Sequence, residues 1–115
     1  MAAEYTVLPE REVEAILRQE VKRHGGHAYK FVSPGTKGVP DRIVCLPRGR
    51  IYFVELKKHG EHTRPDQVVQ IRKLRALGQA VYVVEGLLGL HALFSGFDWE
   101  DSRAKVEARL VRGER

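Results

Sequence analysis

Two carboxylates and an amine are spaced along this chain so that a β-hairpin could gather them around a metal ion. The segment Gly38-Val-Pro-Asp41 is followed fourteen positions later by Glu55-Leu-Lys57. If positions 46 and 50 pair in a β-hairpin, Asp41 lies opposite Glu55, and side chains so paired are about 4.5–5.5 Å apart at Cβ. Lys57 shares a face with Glu55 because side chains alternate along a strand. The spacing therefore predicts one cluster of Asp41, Glu55 and Lys57.

Such a cluster suits the hydrolysis of a phosphodiester bond. A divalent cation lowers the pKa of its bound water and stabilises charge that develops on the phosphate. Mg²⁺ takes oxygen ligands at about 2.0–2.1 Å, commonly one or two carboxylates and several waters. Asp41 and Glu55 would be those ligands, and Lys57 would orient or activate the attacking water or stabilise the phosphate. We therefore expect Mg²⁺ or Mn²⁺ as the cofactor.

The charge distribution predicts a polyanionic substrate. The net charge is +5, and residues 21–75 hold thirteen Lys or Arg against four Asp or Glu. Residues 1–20 hold two against five, and residues 98–115 hold five of each sign. A basic field around clustered acids favours nucleic acid, with a cation held between them. The alternative is a solvated basic surface without a function.

Composition predicts a single domain in a reducing compartment. A chain of 115 residues suits one domain, and the lone Cys45 excludes an internal disulfide framework. No apolar run approaches the roughly 20 residues that span a bilayer, and Met1–Thr6 lacks the pattern of a signal peptide. We expect a cytoplasmic protein with no membrane partner. Cys45 is predicted to point into the core from its strand.

Periodicity and turn residues predict the elements that position the cluster. The apolar stripe Val13, Ile16, Leu17 and Val21 has helical spacing, and Pro47-Arg48-Gly49 predicts the hairpin turn. We predict a helix over residues 9–24, a strand over 27–32, a loop over 33–40, a hairpin over 41–57, a helix capped from Thr63 to Asp66 that ends near Leu77, a strand over 80–84, a short helix or turn over 86–94 and a helix from Trp99 to about Arg112.

The order α-β-β-β-α-β, followed by a C-terminal helix, predicts an α/β fold in the sense of a mixed α+β sheet flanked by helices. The hairpin is antiparallel, and the helix after it returns the chain to a parallel strand. The strand over 80–84 is nearly all apolar, which predicts a central position covered on both faces.

These motifs in this order resemble the VRR-NUC family of the PD-(D/E)XK nuclease superfamily, which has a restriction-endonuclease-like core. The similarity lies in Tyr29-Lys-Phe31, Gly35, Gly38-Val-Pro-Asp-Arg42, Phe53-Val-Glu-Leu-Lys57 and Gln67. It covers residues from about 10 to 94 of one domain over 1–115, with a helical extension over about 98–112. The size resembles the stand-alone members of phages and bacteria.

The resemblance implies further site residues. It implies a metal-binding glutamate on the first helix, for which Glu12 and Glu14 point about 200° apart. We choose Glu14, at the border of the apolar stripe, over Glu12 and rank Glu10 third. The resemblance also implies the Leu56 carbonyl as a metal ligand and Gln67 as a catalytic residue. A polar residue in the first turn of a helix is the alternative for Gln67.

We expect a structure-specific DNA endonuclease that cuts branched DNA such as a Holliday junction, and a homodimer that meets its two symmetric strands. The dimer surface would use segment 86–97 or the C-terminal helix. The expected nucleic-acid contacts are Lys30, Lys37, Arg42, Lys58 and Arg64. One alternative is a nucleic-acid-binding module without activity, and another is a nuclease of unbranched DNA or RNA.

Overall fold

The computed structural model describes residues 4–115, which form four helices and four strands. They are α1 (Glu10–Arg23), β1 (His27–Lys30), β2 (Arg42–Leu46), β3 (Arg50–Lys57), α2 (Pro65–Ala76), β4 (Val81–Glu85), α3 (Gly86–Gly96) and α4 (Glu100–Val111). This order confirms the predicted α/β fold and its C-terminal helix. The predicted domain starts at residue 1, but residues 1–3 lie outside the described residues.

The four strands form one mixed sheet in the order β1-β2-β3-β4. The pairs β1–β2 and β2–β3 are antiparallel, and β3–β4 is parallel. Leu46 pairs with Arg50 and Arg42 with Val54, which confirms the predicted hairpin register. A 3₁₀ turn over Pro47–Gly49 joins the two strands. Helix α2 makes the crossover to β4 that parallel pairing requires.

The core lies between one face of the sheet and helices α1 and α3. The predicted stripe of α1 is confirmed, since Val13, Leu17 and Val21 are fully buried and Ile16 packs against them. From the sheet and α3 the core takes Val44, Val54, Leu56, Val84, Leu87, Leu90, Leu93 and Phe94. Helix α4 packs on α3. None of the helices within residues 4–115 has the length and apolarity to cross a membrane.

Strand β4 lies at an edge of the sheet formed by the described residues, so the predicted central position is wrong. Its apolar sequence has another reason. Val84 joins the main core, whereas Val81 is buried outside that core, and both α2 and α3 contact the strand. The Arg75 guanidinium of α2 donates two hydrogen bonds to the Val81 carbonyl, at 3.2 and 2.7 Å. Coverage by helices therefore explains the apolar run without a second neighbouring strand.

The expected burial of Cys45 is wrong, whereas the helix expected as one alternative over residues 86–94 is confirmed. Cys45 lies between Val44 and Leu46, which face the core, so it points to the other face and is only half-buried. The segment predicted as a short helix or turn is the eleven-residue helix α3. Most of its apolar side chains are buried inside the chain. Segment 86–97 therefore has little apolar surface left for a dimer.

Candidate active site

The ends of β2 and β3 bring Asp41 and Glu55 together, as the hairpin register predicted. The Asp41 amide donates to Glu55 Oε1 at 3.2 Å, and the Leu56 amide donates to Asp41 Oδ1 at 3.1 Å. On its other side the Asp41 carbonyl accepts a hydrogen bond from the Phe31 amide at 2.8 Å. The backbone of Asp41 is thus held between the two neighbouring strands, directly before β2 begins.

The Leu56 carbonyl faces the same region. The amide and the carbonyl of one extended residue project to the same side of its strand. Since the Leu56 amide points at Asp41, its carbonyl lies on the side where β2 has ended. The backbone groups of the two neighbours of Leu56, residues 55 and 57, project to the opposite side, toward β4. Phe53 has the same orientation as these two, and its amide donates to the Ala80 carbonyl at 2.9 Å. This placement agrees with the ligand role implied for Leu56, which stays a prediction.

Glu55, Lys57 and Gln67 form a closed, buried hydrogen-bond network. The side chains of Glu55 and Lys57 are 4% and 7% exposed, and Lys57 Nζ lies 3.2 Å from Glu55 Oε2. Lys57 Nζ also donates to Gln67 Oε1 at 2.9 Å, and Gln67 Nε2 donates to Glu55 Oε2 at 2.8 Å. Each member thus contacts the other two, so the position of the ammonium group is well defined.

Gln67 also caps helix α2. Its Oε1 accepts a hydrogen bond from the Arg64 amide at 2.9 Å, which places Arg64 at the N-cap and Gln67 at the third helical position. The predicted capping box, from Thr63 to Asp66, is wrong by one residue. The correction has a functional consequence, because one amide oxygen binds both the start of α2 and the Lys57 ammonium.

The loop before Asp41 packs directly on the start of α2. Gly38 has φ +88°, and a Cβ at this position would lie 2.5 Å from the Asp66 carbonyl oxygen and 2.9 Å from the Gln67 amide nitrogen. Glycine alone meets both the left-handed conformation and the close approach. The Gly38-Val-Pro-Asp41 segment and the helix that carries Gln67 therefore position each other.

The electrostatics of Asp41 fit a bound cation. Burial, followed by the charges of Glu55 and Glu10, raises the pKa of Asp41 to about 6, although the hydrogen bond from Leu56 and the charge of Arg42 act in the opposite direction. Among residues 4–115 no group of three or more His, Cys, Asp or Glu could hold a metal ion. Two carboxylates and a carbonyl remain, and Mg²⁺ commonly takes only one or two protein carboxylates beside its waters. The residues present fit that ion.

The comparisons with known proteins identify the family of the chain. No family model matches the chain. Over 79 residues the chain is 49% identical to a protein of Acyrthosiphon pisum secondary endosymbiont phage 1 named "Putative nuclease p44", a match that covers 69% of this chain and 85% of the relative. A solved VRR-NUC domain matches at 35% identity and TM-score 0.63, over 67% of this chain and 83% of the solved one. The chain belongs to the VRR-NUC family of nucleases.

In this VRR-NUC protein the chosen helix glutamate, Glu14, contacts arginines. Its Oε2 lies 3.0 Å from Arg42, and its Oε1 accepts a hydrogen bond from Arg18 at 3.1 Å. Glu12 lies 3.7 Å from Arg109 of helix α4, away from the cluster. Glu14 thus reaches the site through Arg42, whose guanidinium also donates to the Asp41 carbonyl at 2.9 Å. Whether Glu14 has a catalytic role stays a prediction.

Glu10, ranked third from the sequence, is coupled electrostatically to the VRR-NUC site. Partial burial raises the pKa of Glu10, as do the charges of Glu61 and Glu55, whereas Lys57 and Arg42 lower it. Glu10 in turn raises the pKa of Asp41. The sequence placed Glu10 in the first turn, where an acid also suits the helix dipole. The missed signal was its spacing of four from Glu14, which puts both on one face.

The predicted nucleic-acid contacts differ in their exposure. Lys30, Lys37 and Lys58 are exposed, and the Arg64 side chain is 62% exposed and pairs with Asp66. The Arg42 side chain is only 13% exposed. The three lysines and Arg64 remain available to a large polyanion. Arg42 is instead engaged within the protein, and its DNA contact stays a prediction.

Proposed function

We propose that this VRR-NUC protein is a divalent-metal-dependent DNA endonuclease. The observation that carries the proposal is the pair of adjacent carboxylates, Asp41 and Glu55, beside a buried ammonium group whose position two partners define. This combination suits the attack of water on a phosphodiester bond, because the carboxylates can hold a cation and the ammonium can stabilise the phosphate. The exposed lysines near the cluster support a polyanionic substrate.

The proposed mechanism divides the work among the residues of the cluster. Asp41, Glu55 and the Leu56 carbonyl would hold Mg²⁺ or Mn²⁺, which supplies a Lewis acid and an acidified water. Lys57 would donate a hydrogen bond to the attacking water or to a phosphate oxygen. Gln67 would keep the Lys57 ammonium oriented while Glu55 carries the metal. A carboxylate of α1, Glu14 or Glu10, would complete the acidic side of the site.

Branched DNA is the proposed substrate, with a homodimer as the active form. A four-way junction presents two symmetric strands, so two copies of one site would cut both. This selection would depend on DNA shape, because contacts to phosphates position a protein without reading the sequence. A nuclease of unbranched DNA or RNA remains the second candidate, and a binding module without activity the third.

A cleavage assay tests the nuclease proposal. Wild type, Lys57→Ala and the matched surface variant Lys73→Ala are incubated with a four-way junction, linear duplex, single-stranded DNA and RNA, in Mg²⁺, Mn²⁺ or EDTA. We expect wild type and Lys73→Ala to cut the junction in a divalent metal only, and Lys57→Ala to be slower by about 10²-fold or more. Absence of cutting by wild type with every metal would contradict the nuclease. A preference for unbranched substrates would contradict only the junction.

Metal titration tests the ligand assignment. Asp41→Asn retains an oxygen that can accept the Leu56 hydrogen bond but removes the negative charge. We expect calorimetry with Mn²⁺ to show affinity reduced by about 10-fold or more, while circular dichroism shows a folded chain. Unchanged Mn²⁺ affinity would exclude Asp41 as a ligand.

The same titration decides between the two glutamates of α1. Glu10→Gln and Glu14→Gln differ by one helical turn and are otherwise matched. If Glu10 faces the metal, its variant loses Mn²⁺ affinity and Glu14→Gln retains it. The reverse result would support the choice made from the sequence.

A further inference from the structure

A groove with basic side chains lies between the second half of α1 and strand β1, outside the cluster described above. Its cavity volume is about 420 Å³, and it is lined by Arg18, Gln19, Lys22, Gly26, His27 and Ala28. Lys22 and His27 are exposed, and the Arg18 side chain is 57% exposed. The groove is therefore open to a large ligand.

The cations of this groove differ from those of α4 in their pairing. On α4 each of the three basic side chains has a carboxylate partner: Arg103 with Glu107, Lys105 with Glu20 and Arg109 with Glu114. In the groove, Lys22 has no carboxylate within ion-pair distance among residues 4–115. Arg18 has one, Glu14, in a pair that solvent screens because the arginine is more than half exposed. The groove thus keeps positive charge that α4 has neutralised.

The basic surface continues past the end of α1. A Cβ at Gly25 would lie 3.3 Å from Pro47 Cγ, so the end of the helix touches the hairpin turn. Arg48 of this turn and Arg50 at the start of β3 are exposed, and neither has a carboxylate within ion-pair distance among residues 4–115. Exposed basic residues therefore lie both in the groove and at the hairpin turn that the end of α1 touches.

Glu14 joins the groove to the site. One of its oxygens binds Arg18 of the groove, and the other lies 3.0 Å from Arg42, which donates to the Asp41 carbonyl. From Glu14 to Lys22 the helix rises by about 12 Å. One DNA strand advances about 3.4 Å along its axis for each phosphate, so this rise corresponds to about three to four nucleotides.

We propose that the α1–β1 groove binds the phosphate backbone of DNA about three to four nucleotides beyond Glu14 on the way from the site, with Arg18 and Lys22 as its cations. The inference rests on the proposed nuclease function and adds the path of the substrate. None of the five predicted contacts lies in this groove. Arg18 falls in a segment with an excess of acids, and Lys22 also suits the negative end of the helix dipole.

A binding assay tests the groove separately from the chemistry. The affinity of a fluorescent junction is measured in EDTA, which prevents cutting, at several KCl concentrations. The variants are Arg18→Gln/Lys22→Gln and the matched surface variant Lys73→Gln on α2. We expect the double variant to bind about 10-fold or more weakly, with a salt slope smaller by about 2, because each lost phosphate contact removes about 0.9. Lys73→Gln should bind as wild type does.

Substrate length gives a second readout. Wild type should lose affinity when the arm on one side of the cut is shortened below about four nucleotides, and the double variant should not respond to that shortening. Wild type that cuts DNA in Mn²⁺, together with a double variant of unchanged affinity and salt slope, would overturn the groove alone. If Lys73→Gln lost as much DNA affinity as the double variant, the groove proposal would also be overturned. Wild type that neither binds nor cuts DNA would overturn both proposals.

Discussion

At the scale of single residues, the Lys57 ammonium is stable in the interior because its partners are complete. Glu55 supplies the countercharge and Gln67 an additional acceptor, and both are buried. A buried ion pair gains little over an apolar pair, because two charges must be removed from water. Removal of one partner destabilises the fold far more, since the other charge stays buried without compensation. This cluster therefore couples the chemistry of the site to the stability of the fold.

A double-mutant cycle on this pair makes the coupling measurable. We expect Glu55→Gln to lower the free energy of unfolding by about 3–5 kcal/mol, because Lys57 loses its countercharge. Lys57→Met should cost less, since Glu55 still accepts hydrogen bonds from Gln67 and the Asp41 amide. The double variant Glu55→Gln/Lys57→Met should recover most of the loss. Urea denaturation gives the three values, and additive losses would contradict the coupling.

At the scale of elements, the site depends on how the 33–40 loop meets helix α2. The hairpin places Asp41 and Glu55 by itself, whereas Gln67 arrives on a separate element. Gly38 is the point of contact, because only hydrogen in place of a Cβ leaves room for the Asp66 carbonyl. The geometry of the site thus requires two junctions between elements. The first is the pairing of β2 with β3, and the second is the packing of the 33–40 loop on α2.

Replacement of Gly38 tests the second junction. Gly38→Ala adds left-handed strain and a backbone clash, so we expect it to lower the free energy of unfolding by about 2 kcal/mol or more and to displace Gln67. Cleavage should fall by more than the unfolded fraction explains. The matched control is Gly35→Ala in the same loop, where a Cβ has no neighbour within 4 Å. Equal stability and activity of the two variants would contradict the proposed contact.

At the scale of the whole molecule, the carboxylates of Asp41 and Glu20 shift stability in opposite directions with pH. The pKa of Asp41 is raised from 3.8 to about 6, mainly by burial. The stability that Asp41 contributes to the folded state is therefore fully present below pH 3.8 and is lost as the pH rises through 6. Burial also raises the pKa of Glu20, but hydrogen bonds from Ser102, Arg23 and Lys105 outweigh it and lower the pKa below 4.5. The contribution of Glu20 is present above that value and is lost in acid.

Acid should therefore loosen α4 before the sheet. Glu20 accepts a hydrogen bond from Ser102 Oγ at 2.6 Å and lies 3.3 Å from Lys105, which joins α1 to α4. Between pH 5 and 3 we expect hydrogen-exchange protection to fall for the amides of α4 before those of β2 and β3. Glu20→Gln should be less stable than wild type at pH 7 and should respond less to acid. Protection that falls equally in both regions would contradict this order.

Prediction from the sequence succeeded where the relevant contacts were local. The hairpin turn and the two-residue period of its strands placed Asp41 against Glu55, and the stripe of α1 identified its buried face. Prediction failed for β4, because an apolar strand covered by two helices has the same composition at an edge as at the centre of a sheet. It failed for Cys45 because an error of one residue in phase exchanges the two faces of a strand.

The hairpin, its register and therefore the pairing of the two carboxylates follow from local sequence, since turn length and strand period act over fewer than twenty residues. Which other residues join that pair depends on long-range packing. That packing brought Gln67 to Lys57 and placed Arg42 between Glu14 and Asp41, and it coupled Glu10 to the cluster. These contacts depend on how α1 and α2 dock against the sheet. Docking results from the packing of the whole core, which no local spacing encodes.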